Sequence, residues 1–394
     1  LHDPYLMLGM RAAVDRITTA ISHQEKIMIY GDYDVDGTTA VTLVYSYLDE
    51  HYPKCIYYIP DRYEEGYGIS QKGIAYAQEK GISLIIALDC GIKANDNIDY
   101  AKELGIDFII CDHHLPGVNL PNAVAILDPK QDNCNYPFKE LCGCGIGFKL
   151  IQALAQEQGQ SLETILPYID LVAMAIAADI VPILDENRIL THYGLQQIRE
   201  QPRKGIKLFL NGLKNKLSVA DLVFVIAPRI NGAGRIKHGS YAVELLLSKD
   251  ENEALSRARA IELFNSERKA LDQRITAQAL DQIDQNQEQE NYSSVVFQPD
   301  WHKGVVGIVA SRLIETYYRP TVVFASSGDF FTGSVRSVKG VDVYLILDAC
   351  KEHIVKFGGH RYAAGLTIKP EAYIDFKKAF EKAVAQTIKP AQRI

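Results

Sequence analysis

The chain has 394 residues and a net charge of −7, with 47% hydrophobic and 23% charged residues. This length exceeds what one hydrophobic core usually holds, so we expect two domains, and the composition is that of a soluble globular protein. No apolar run reaches the roughly 18 residues of a membrane span, and the start of the chain lacks the basic and apolar parts of a signal peptide.

The charge and the cysteines narrow the class of protein further. A negative net charge argues weakly against a nucleic-acid partner, but the acidic excess precedes residue 291 and the segment after it is basic.

Seven scattered cysteines predict reduced thiols and a cytoplasmic protein. Cys134, Cys142 and Cys144 are an alternative zinc cluster, which the lack of a second Cys-x-x-Cys or a His pair disfavours. The chain begins at Leu1 rather than Met, and we expect a fragment.

Residues 26–130 alternate between short apolar runs and amphipathic stretches. The predicted strands cover residues 26–30, 55–59, 84–88, 108–111 and 123–127, and the predicted helices between them cover residues 38–50, 69–80 and 94–104. Strands that are rich in β-branched residues and alternate with helices predict a mostly parallel sheet, covered on both faces. Ligands of such sheets gather at the carboxyl ends of the strands.

The rest of the chain predicts helices followed by a second, smaller α/β domain. Residues 145–180 are helical in pattern, and residues 251–289 contain no Gly or Pro and have apolar residues at three- and four-residue steps, which predicts one long connector helix. The last predicted strands cover residues 294–298, 321–325, 331–335 and 366–368, with helices at 304–317, 341–355 and 371–385. We therefore predict an α/β fold with a mostly parallel sheet domain joined by a long helix to a smaller α/β domain.

Three carboxylates follow the first predicted strand at alternate positions: Asp32, Asp34 and Asp36. Alternate residues of an extended segment point the same way, and crowded carboxylates need protons or a cation to neutralise them. We expect a metal site here, with Gly37 permitting a sharp turn into a helix. The same pattern begins an EF-hand loop, but the twelfth position of that loop requires a bidentate Glu and is Leu43 here.

Two further strand ends and one helix end supply candidate ligands. Asp89 follows the third predicted strand, and Asp112, His113 and His114 follow the fourth. A lone Asp at a strand end is usually a cap or turn residue, and a lone His is usually structural, but three strands that deliver such groups at the same end favour a metal site. Asp179 closes a buried apolar run at the negative end of a helix dipole, which a nearby cation would explain.

These motifs resemble those of the DHH phosphoesterase family, and within it those of the RecJ-type single-stranded-DNA exonucleases. The resemblance spans essentially the whole chain. The family motifs are residues 32–37 (Asp-Tyr-Asp-Val-Asp-Gly), 89–91 (Asp-Cys-Gly), 112–114 (Asp-His-His), 178–182 (Ala-Asp-Ile-Val-Pro) and 358–365, which resembles the signature of the companion domain DHHA1. Residues 62–68, 227–235 and 301–310 resemble the RecJ type rather than the family at large.

The resemblance implies a DHH catalytic domain over residues 1–190, a helical segment with the connector helix over 191–290 and a DHHA1 substrate-binding domain over 291–394. It also implies two Mn²⁺ or Mg²⁺ ions, and hard oxygen ligands with one imidazole suit these ions better than zinc. One ion would be held by Asp34, with Asp32 beside it, the other by Asp36, His113 and Asp179, and Asp89 would bridge them. His114 would act on the substrate as a catalytic residue, and Asp112 would fix a neighbouring ligand.

Other motifs predict contacts with a nucleic acid. Clustered arginine and amide donors bind phosphate, and glycines let backbone N–H groups approach it. The predicted nucleic-acid-binding residues are Arg62, Arg229, Asn231, Arg235, Ser334, Arg336, Gly359 and His360, with the glycines interpreted as part of a loop. For the aromatic residues Tyr67, Trp301 and Tyr362 we expect core packing rather than base stacking.

The function that the resemblance implies is hydrolysis of single-stranded DNA from the 5′ end in DNA repair or recombination. A single-strand-binding protein or a helicase would be its partner, and we expect a monomer.

The alternative is an oligoribonuclease or cyclic-dinucleotide phosphodiesterase of the same type. Those relatives have a His in the first motif where Tyr30 stands here, and Asp32 is an additional acid. The manganese pyrophosphatase branch and a non-catalytic scaffold fit worse, because the DHHA1-like signature and every expected ligand are present. RecJ-type proteins usually carry an additional OB-type domain, and we expect none after the DHHA1-like segment of this sequence.

Overall fold

The structure, a computed structural model, describes residues 1–213 and 217–388. The chain divides into two compact units, Leu1–Asn265 and Ser266–Ile394, which are described separately. Residues 214–216, within the predicted helical segment, and residues 389–394, at the end of the predicted second domain, lie outside the described residues. Within the described ranges, no helix combines the length and apolarity needed to cross a membrane.

A parallel five-stranded sheet forms the centre of the first unit. Its strands are β1 (Lys26–Gly31), β2 (Cys55–Tyr58), β3 (Ile82–Leu88), β4 (Asp107–Cys111) and β5 (Ala125–Leu127), arranged in the order β2-β1-β3-β4-β5. All neighbouring pairs are parallel. The five strands and the parallel sheet that the sequence predicts are confirmed.

The register brings the carboxyl ends of four strands into one row. Gly31 pairs with Leu88, Leu88 with Cys111, and Cys111 with Leu127. In each strand the next residue is an aspartate, which places four aspartates side by side along one edge of the sheet; they are Asp32, Asp89, Asp112 and Asp128.

Helices cover both faces of this sheet. The α-helices described in this unit are α1 (Met10–Ser22), α2 (Val35–His51), α3 (Gln71–Lys80), α4 (Asn95–Glu103), α5 (Gly143–Glu157), α6 (Ile169–Asp179), α7 (Asp185–Glu200), α8 (Lys207–Leu210), α9 (Val219–Asp221), α10 (Ala227–Ile236) and α11 (Ser240–Leu247). Alternate residues of β1 enter different cores: Ile27 and Ile29 belong to one buried cluster, and Met28 and Tyr30 to the other. This two-sided burial explains the continuous apolar strands.

A long helix, α12 (Glu251–Gln285), runs through the boundary between the two units, and the predicted connector helix is confirmed. The second unit contains β6 (Ser294–Phe297), α13 (Val306–Thr316), β7 (Thr321–Ser327), β8 (Phe330–Arg336), α14 (Val343–Ala349), β9 (Lys356–His360), β10 (Ala363–Ile368) and α15 (Tyr373–Thr387). Its sheet has the order β6-β7-β8-β10-β9. A core that includes Phe324, Phe376 and Phe380 packs against it.

The sequence interpretation of residues 358–360 as a loop is wrong. They belong to β9, an edge strand that pairs antiparallel with β10. The glycines hid the strand from the pattern, because glycine has low strand propensity. At Gly359, φ is +145° and an added Cβ would lie 2.5 Å from the carbonyl oxygen of Ala363, so this position requires glycine.

Candidate metal centre

The first acidic motif is a turn from a strand into a helix. β1 ends at Gly31 and α2 begins at Val35, with Asp34 as its N-cap, where Oδ1 accepts a hydrogen bond from the Gly37 N–H at 3.0 Å. The expectation that the three aspartates alternate along an extended segment is therefore wrong, because Asp36 already lies in the helix. Gly37 is needed for close packing, since an added Cβ would lie 2.4 Å from the Asp32 carbonyl oxygen.

Asp89 reaches the same edge of the sheet through an unusual backbone conformation. Its φ is +59°, in the left-handed region that few residues other than glycine, asparagine and aspartate adopt. Its backbone N–H donates to the Cys111 carbonyl oxygen at 2.9 Å, which continues the β3–β4 ladder by one residue. The side chain is buried, so the strand end places a carboxylate inside the protein rather than in solvent.

Three carboxylates surround the ring of His113. Its Nε2 lies 3.2 Å from Asp89 Oδ1, 3.6 Å from Asp179 Oδ2 and 3.8 Å from Asp36 Oδ2. Asp179 is the last residue of α6, as the sequence predicts. Three separate elements, α2, β3 and α6, therefore deliver their acids to one imidazole, which follows β4.

Among the described residues, the predicted ligands fall into clusters that could hold cations. Asp36, His113 and Asp179 form one cluster, and Asp32, Asp34 and Asp89 form another; a further grouping joins Asp89 to His113 and His114. In each, the ligand atoms lie within 4.8 Å of one another. The Asp89 carboxylate lies near both Asp32 and Asp34 on one hand and His113 on the other, as a ligand that two ions share would.

Several of these atoms lack a hydrogen-bond partner although they are buried. They are Asp32 Oδ1, Asp89 Oδ1 and both ring nitrogens of His113. Buried polar atoms are almost always paired, so each orphaned atom requires an explanation. A cation bound between them would satisfy carboxylate oxygens and an imidazole nitrogen together, and the donor set of this site therefore fits a divalent ion.

The pKa shifts of the cluster also favour a bound cation. Burial, reinforced by neighbouring aspartates, raises the pKa of Asp32, Asp36 and Asp89 well above the usual range. For Asp179, burial and the nearby Asp34 raise the pKa to about 6. Burial also lowers the pKa of His113 to about 3, so this imidazole is neutral and offers a lone pair. Without a cation, the site would hold protons in place of positive charge.

His114 and Asp112 form a separate charged pair beside the cluster. His114 Nδ1 lies 2.7 Å from Asp112 Oδ1, which also accepts the backbone N–H groups of His113 and His114. Burial opposes the charge on both groups, but their mutual hydrogen bond outweighs it, raising the pKa of His114 and lowering that of Asp112. The Tyr67 hydroxyl, 3.2 Å from His114 Nδ1, donates to the Asp89 carbonyl oxygen at 3.1 Å. Asp112 thus orients His114.

The start of α5 fixes Asp36. The backbone N–H groups of Gly143 and Cys144 each donate to its carboxylate at 2.7 Å. An added Cβ on Gly143 would lie 2.6 Å from Asp89 Cβ, so the absence of a side chain lets α5 approach both ligands. Burial raises the pKa of the Cys142 and Cys144 thiols well above the usual range, and no candidate metal cluster among the described residues includes a cysteine. All seven cysteines are buried free thiols.

Asp128 is a further buried carboxylate at this edge of the sheet, which the sequence interpretation missed. It follows β5 in the same row as Asp89 and Asp112, is fully buried, and burial raises its pKa to about 7. One carboxylate oxygen accepts the Lys130 N–H at 2.7 Å, and the other is among the buried unpaired atoms. An aspartate directly after a predicted strand, the signal that found Asp89, was present here too.

Helix α10 contacts the first acidic motif with some of the predicted nucleic-acid-binding residues. Asn231 Oδ1 accepts the Val35 N–H at 3.2 Å, and an added Cβ on Gly234 would lie 2.9 Å from the Tyr33 carbonyl oxygen. The Arg62 guanidinium lies 4.6 Å from the centre of the Tyr33 ring. The structure therefore brings Asn231 and Arg62 to the turn that carries Asp32 and Asp34.

Arg229 is held by side-chain contacts within the first unit, and the backbone of Arg235 takes part in another. Arg229 forms a two-point ion pair with Glu262, at 2.6 and 3.2 Å, and donates to the Val225 carbonyl oxygen at 2.6 Å. The Tyr63 hydroxyl donates to the backbone carbonyl of Arg235. The sequence could not reveal the partner of Arg229, because Glu262 lies 33 residues away on α12.

The predicted residues of the second unit meet across three strands. Arg336 on β8 and His360 on β9 both pair with Ala363 of β10, and Ser334 lies two residues before Arg336 on β8. Gly307, near the start of α13, faces them: an added Cβ would lie 3.0 Å from an Arg336 guanidinium nitrogen and 3.2 Å from Ser334 Oγ. Of the aromatic residues, Trp301 is buried and donates its indole N–H to Gln278 at 2.9 Å, as expected for core packing. For Tyr67 and Tyr362 that expectation is wrong, because they are 55% and 45% exposed.

Comparison with known proteins accords with this geometry. The model of the DHH family N-terminal domain matches residues 26–176 and that of the DHHA1 domain matches residues 289–386. A single-stranded-DNA-specific exonuclease RecJ from Bacillus subtilis is 41% identical over 98% of this chain and 49% of its own length. RecJ from Dickeya dadantii is 35% identical over 100% of this chain and 72% of its own length. This chain thus spans about half of the Bacillus protein.

Solved structures show the same fold. A crystal structure of exonuclease RecJ bound to manganese is 30% identical, has a TM-score of 0.87, and matches over 98% of this chain and 97% of its own. RecJ from Thermus thermophilus in complex with Mn²⁺ is 28% identical, with a TM-score of 0.86, over 98% of this chain and 56% of its own. The α/β fold with a DHH and a DHHA1 domain is therefore confirmed, and the chain belongs to the RecJ family.

Proposed function

We propose that this chain is a metal-dependent exonuclease that hydrolyses phosphodiester bonds of single-stranded DNA from the 5′ end. The observation that carries the proposal is a pair of ligand clusters, Asp32–Asp34–Asp89 and Asp36–His113–Asp179, which Asp89 links because its carboxylate lies 3.2 Å from His113 Nε2. Paired cation sites with a common carboxylate are typical of enzymes that cleave phosphodiesters. The RecJ relatives named above are single-stranded-DNA-specific exonucleases, and a role in repair or recombination is part of the same proposal.

We propose Mn²⁺ or Mg²⁺ as the two ions. Asp32 and Asp34 would hold one, Asp36, His113 and Asp179 the other, and Asp89 both. When bound, the ions supply Lewis-acid stabilisation of the charge that develops on the phosphate and lower the pKa of the attacking water. Oxygen-rich ligands with a single imidazole support these ions rather than zinc.

His114 is proposed to act on the phosphate directly. Burial lowers the pKa of His114, but the 2.7 Å hydrogen bond with Asp112 outweighs burial and raises it above the usual value, which favours the protonated ring. A protonated imidazole beside the cluster stabilises negative charge on phosphate oxygens and can donate a proton to the leaving oxygen. Asp112 has a positioning role, since it accepts hydrogen bonds from the His114 ring and backbone.

Phosphate contacts are proposed for each unit separately. In the first unit, Arg62, Asn231 and Arg235 are the candidates. In the second, Ser334 and Arg336 lie beside Gly307 near the start of α13, with Gly359 and His360 on the edge strand β9. Arg229 is the weakest candidate, because Glu262 already neutralises its charge.

The proposal also includes the division into domains at residues 190 and 290, a monomeric state, and a single-strand-binding protein or helicase as partner. It includes a cytoplasmic location as well, which the seven free thiols support.

The test of this function is a time course on long single strands that carry a label at either end. With Mn²⁺, a strand labelled at the 5′ end should release labelled mononucleotide at once, while a strand labelled at the 3′ end should shorten gradually. A duplex of the same sequence is the control and should resist. Fast cleavage of dinucleotides with no action on long strands would replace the proposal with the oligoribonuclease alternative, and early release of the 3′ label would reverse the polarity.

Replacing Gly143 with Ala should weaken metal binding. The new methyl group would meet Asp89 Cβ at 2.6 Å, and displacing a shared ligand or its support costs about 10–100-fold in metal affinity. Isothermal titration with Mn²⁺ measures the loss. The matched control is Gly145→Ala in the same helix, where the nearest atom to an added Cβ is 3.5 Å away. Equal Mn²⁺ affinities in the two variants would contradict the assignment of Asp89.

A further inference from the structure

The residue that follows Asp179 has a strained backbone. Ile180, the C-cap residue directly after α6, has φ +59° and ψ +31°, a left-handed conformation that is a genuine outlier for a β-branched residue. Helices that end in this way usually have glycine here, because glycine has no Cβ. The local backbone therefore disfavours Ile180, and the reason for this side chain must lie elsewhere.

Core packing does not supply that reason. The Ile180 side chain is 80% exposed, and Leu184 on the same segment is 64% exposed. The segment is nevertheless held in place: the buried Asn187 side chain donates to the carbonyl oxygens of Pro182 at 3.0 Å and Glu140 at 2.6 Å. Strain that the surroundings hold in place is characteristic of functional sites.

Ile180 lies next to the metal-ligand cluster. Its Cα is about 3.8 Å from that of Asp179 along the chain, and the Asp179 carboxylate lies 3.6 Å from His113 Nε2. Ile180 thus lies at the rim of the metal-ligand cluster. This inference rests on the proposed function, in which the scissile phosphate binds at that cluster and the neighbouring nucleobases reach its rim.

We propose that Ile180 is a substrate-positioning residue whose side chain packs on the face of a nucleobase next to the scissile phosphate. Every nucleobase has an apolar face, so such a contact holds the strand without selecting a sequence. The strain at Ile180 is retained because the position needs an apolar side chain, which glycine lacks.

The proposal predicts opposite effects on stability and on activity. Ile180→Gly should raise the thermal midpoint of the Mn²⁺-loaded chain by roughly 2 °C through relief of strain. It should also lower kcat/KM on single strands about tenfold, mainly through KM, as expected for loss of one apolar contact. Ile180→Leu should restore most of the activity. A lower midpoint for Ile180→Gly would show that Ile180 is held by packing, and would overturn the proposal.

The nucleobase itself can be removed as well. On a strand with abasic residues at its first two positions, the wild-type chain should fall to the rate of Ile180→Gly, and the variant should lose nothing further. Equal loss in both proteins would overturn the inference and leave the proposed function standing. A wild-type chain that degrades neither strand would overturn the proposed function and the inference with it.

The matched control is Gln24→Gly. Gln24 also has a left-handed backbone, with φ +57°, and lies just after α1 in the same unit. This variant should gain thermal stability by the same mechanism and keep wild-type kcat/KM on both strands. A loss of activity equal to that of Ile180→Gly would show that added backbone freedom, rather than the missing side chain, causes the defect, and would overturn the proposal.

Discussion

Replacing Asp89 with Asn is expected to lower hydrolysis of single-stranded DNA by about 1,000-fold or more, because two cations would lose their common ligand and metal stabilisation of the transition state supplies several kcal/mol. The side chain keeps its size and loses only its charge. The thermal midpoint of the metal-free protein should rise, since the substitution removes one of several buried carboxylates that repel each other. Activity and metal-free stability should therefore change in opposite directions.

The matched control for this variant is Asp99→Asn. Asp99 is exposed on α4 in the same unit, and its removal changes the net charge by the same amount. Initial rates with saturating Mn²⁺ should equal those of the wild type. If Asp89→Asn keeps more than a tenth of wild-type activity, the assignment of Asp89 as the shared ligand is wrong.

Mn²⁺ should stabilise the protein strongly, and more so as the pH rises from 4 to 7. The folded-state pKa of Asp179, about 6, lies above its unfolded value of about 3.9. A carboxyl group with a raised pKa contributes stability below the unfolded value and loses it as the pH rises through the folded value. The metal-free chain should therefore lose stability between pH 4 and 6. Bound Mn²⁺ should offset that loss by about 2.7 kcal/mol at 100 times its Kd.

Thermal melts across this pH range, with Mn²⁺ and with a chelator, measure the effect. Because Asp36 and Asp89 also have raised pKa values, metal binding should release protons. The apparent binding enthalpy should then depend on the ionisation enthalpy of the buffer. A metal-free chain whose stability rises between pH 4 and 6, or Mn²⁺ binding without proton release, would contradict this account of the cluster.

The sheet and its acidic edge could be predicted from the sequence because the signals are local. Apolar runs fix the strands, parallel topology aligns their carboxyl ends, and Asp89 and Asp112 follow those ends directly. Asp179 could be identified because a carboxylate at a helix C-terminus is locally unfavourable. These inferences need only the period of a strand or helix and the rule that parallel strands share an edge.

Other parts of the site depend on contacts between distant residues, which the pattern does not encode. Gly143, whose N–H donates to Asp36, lies 107 positions after it in the chain. Glu262, which forms the ion pair with Arg229, lies 33 positions after that arginine. The strand at residues 356–360 was missed because its two glycines suggest a turn, whereas the partner strand β10 stabilises it. The strain at Ile180 is likewise invisible in a sequence, since it exists only in backbone angles.

The central claim is that this chain holds two cations on either side of Asp89. Crystals of the wild-type chain grown with Mn²⁺ test it directly through anomalous diffraction. The account predicts two manganese peaks, one against Asp32 and Asp34 and the other against Asp36, His113 and Asp179, with Asp89 touching both. One peak alone, or manganese bound away from Asp89, would contradict it.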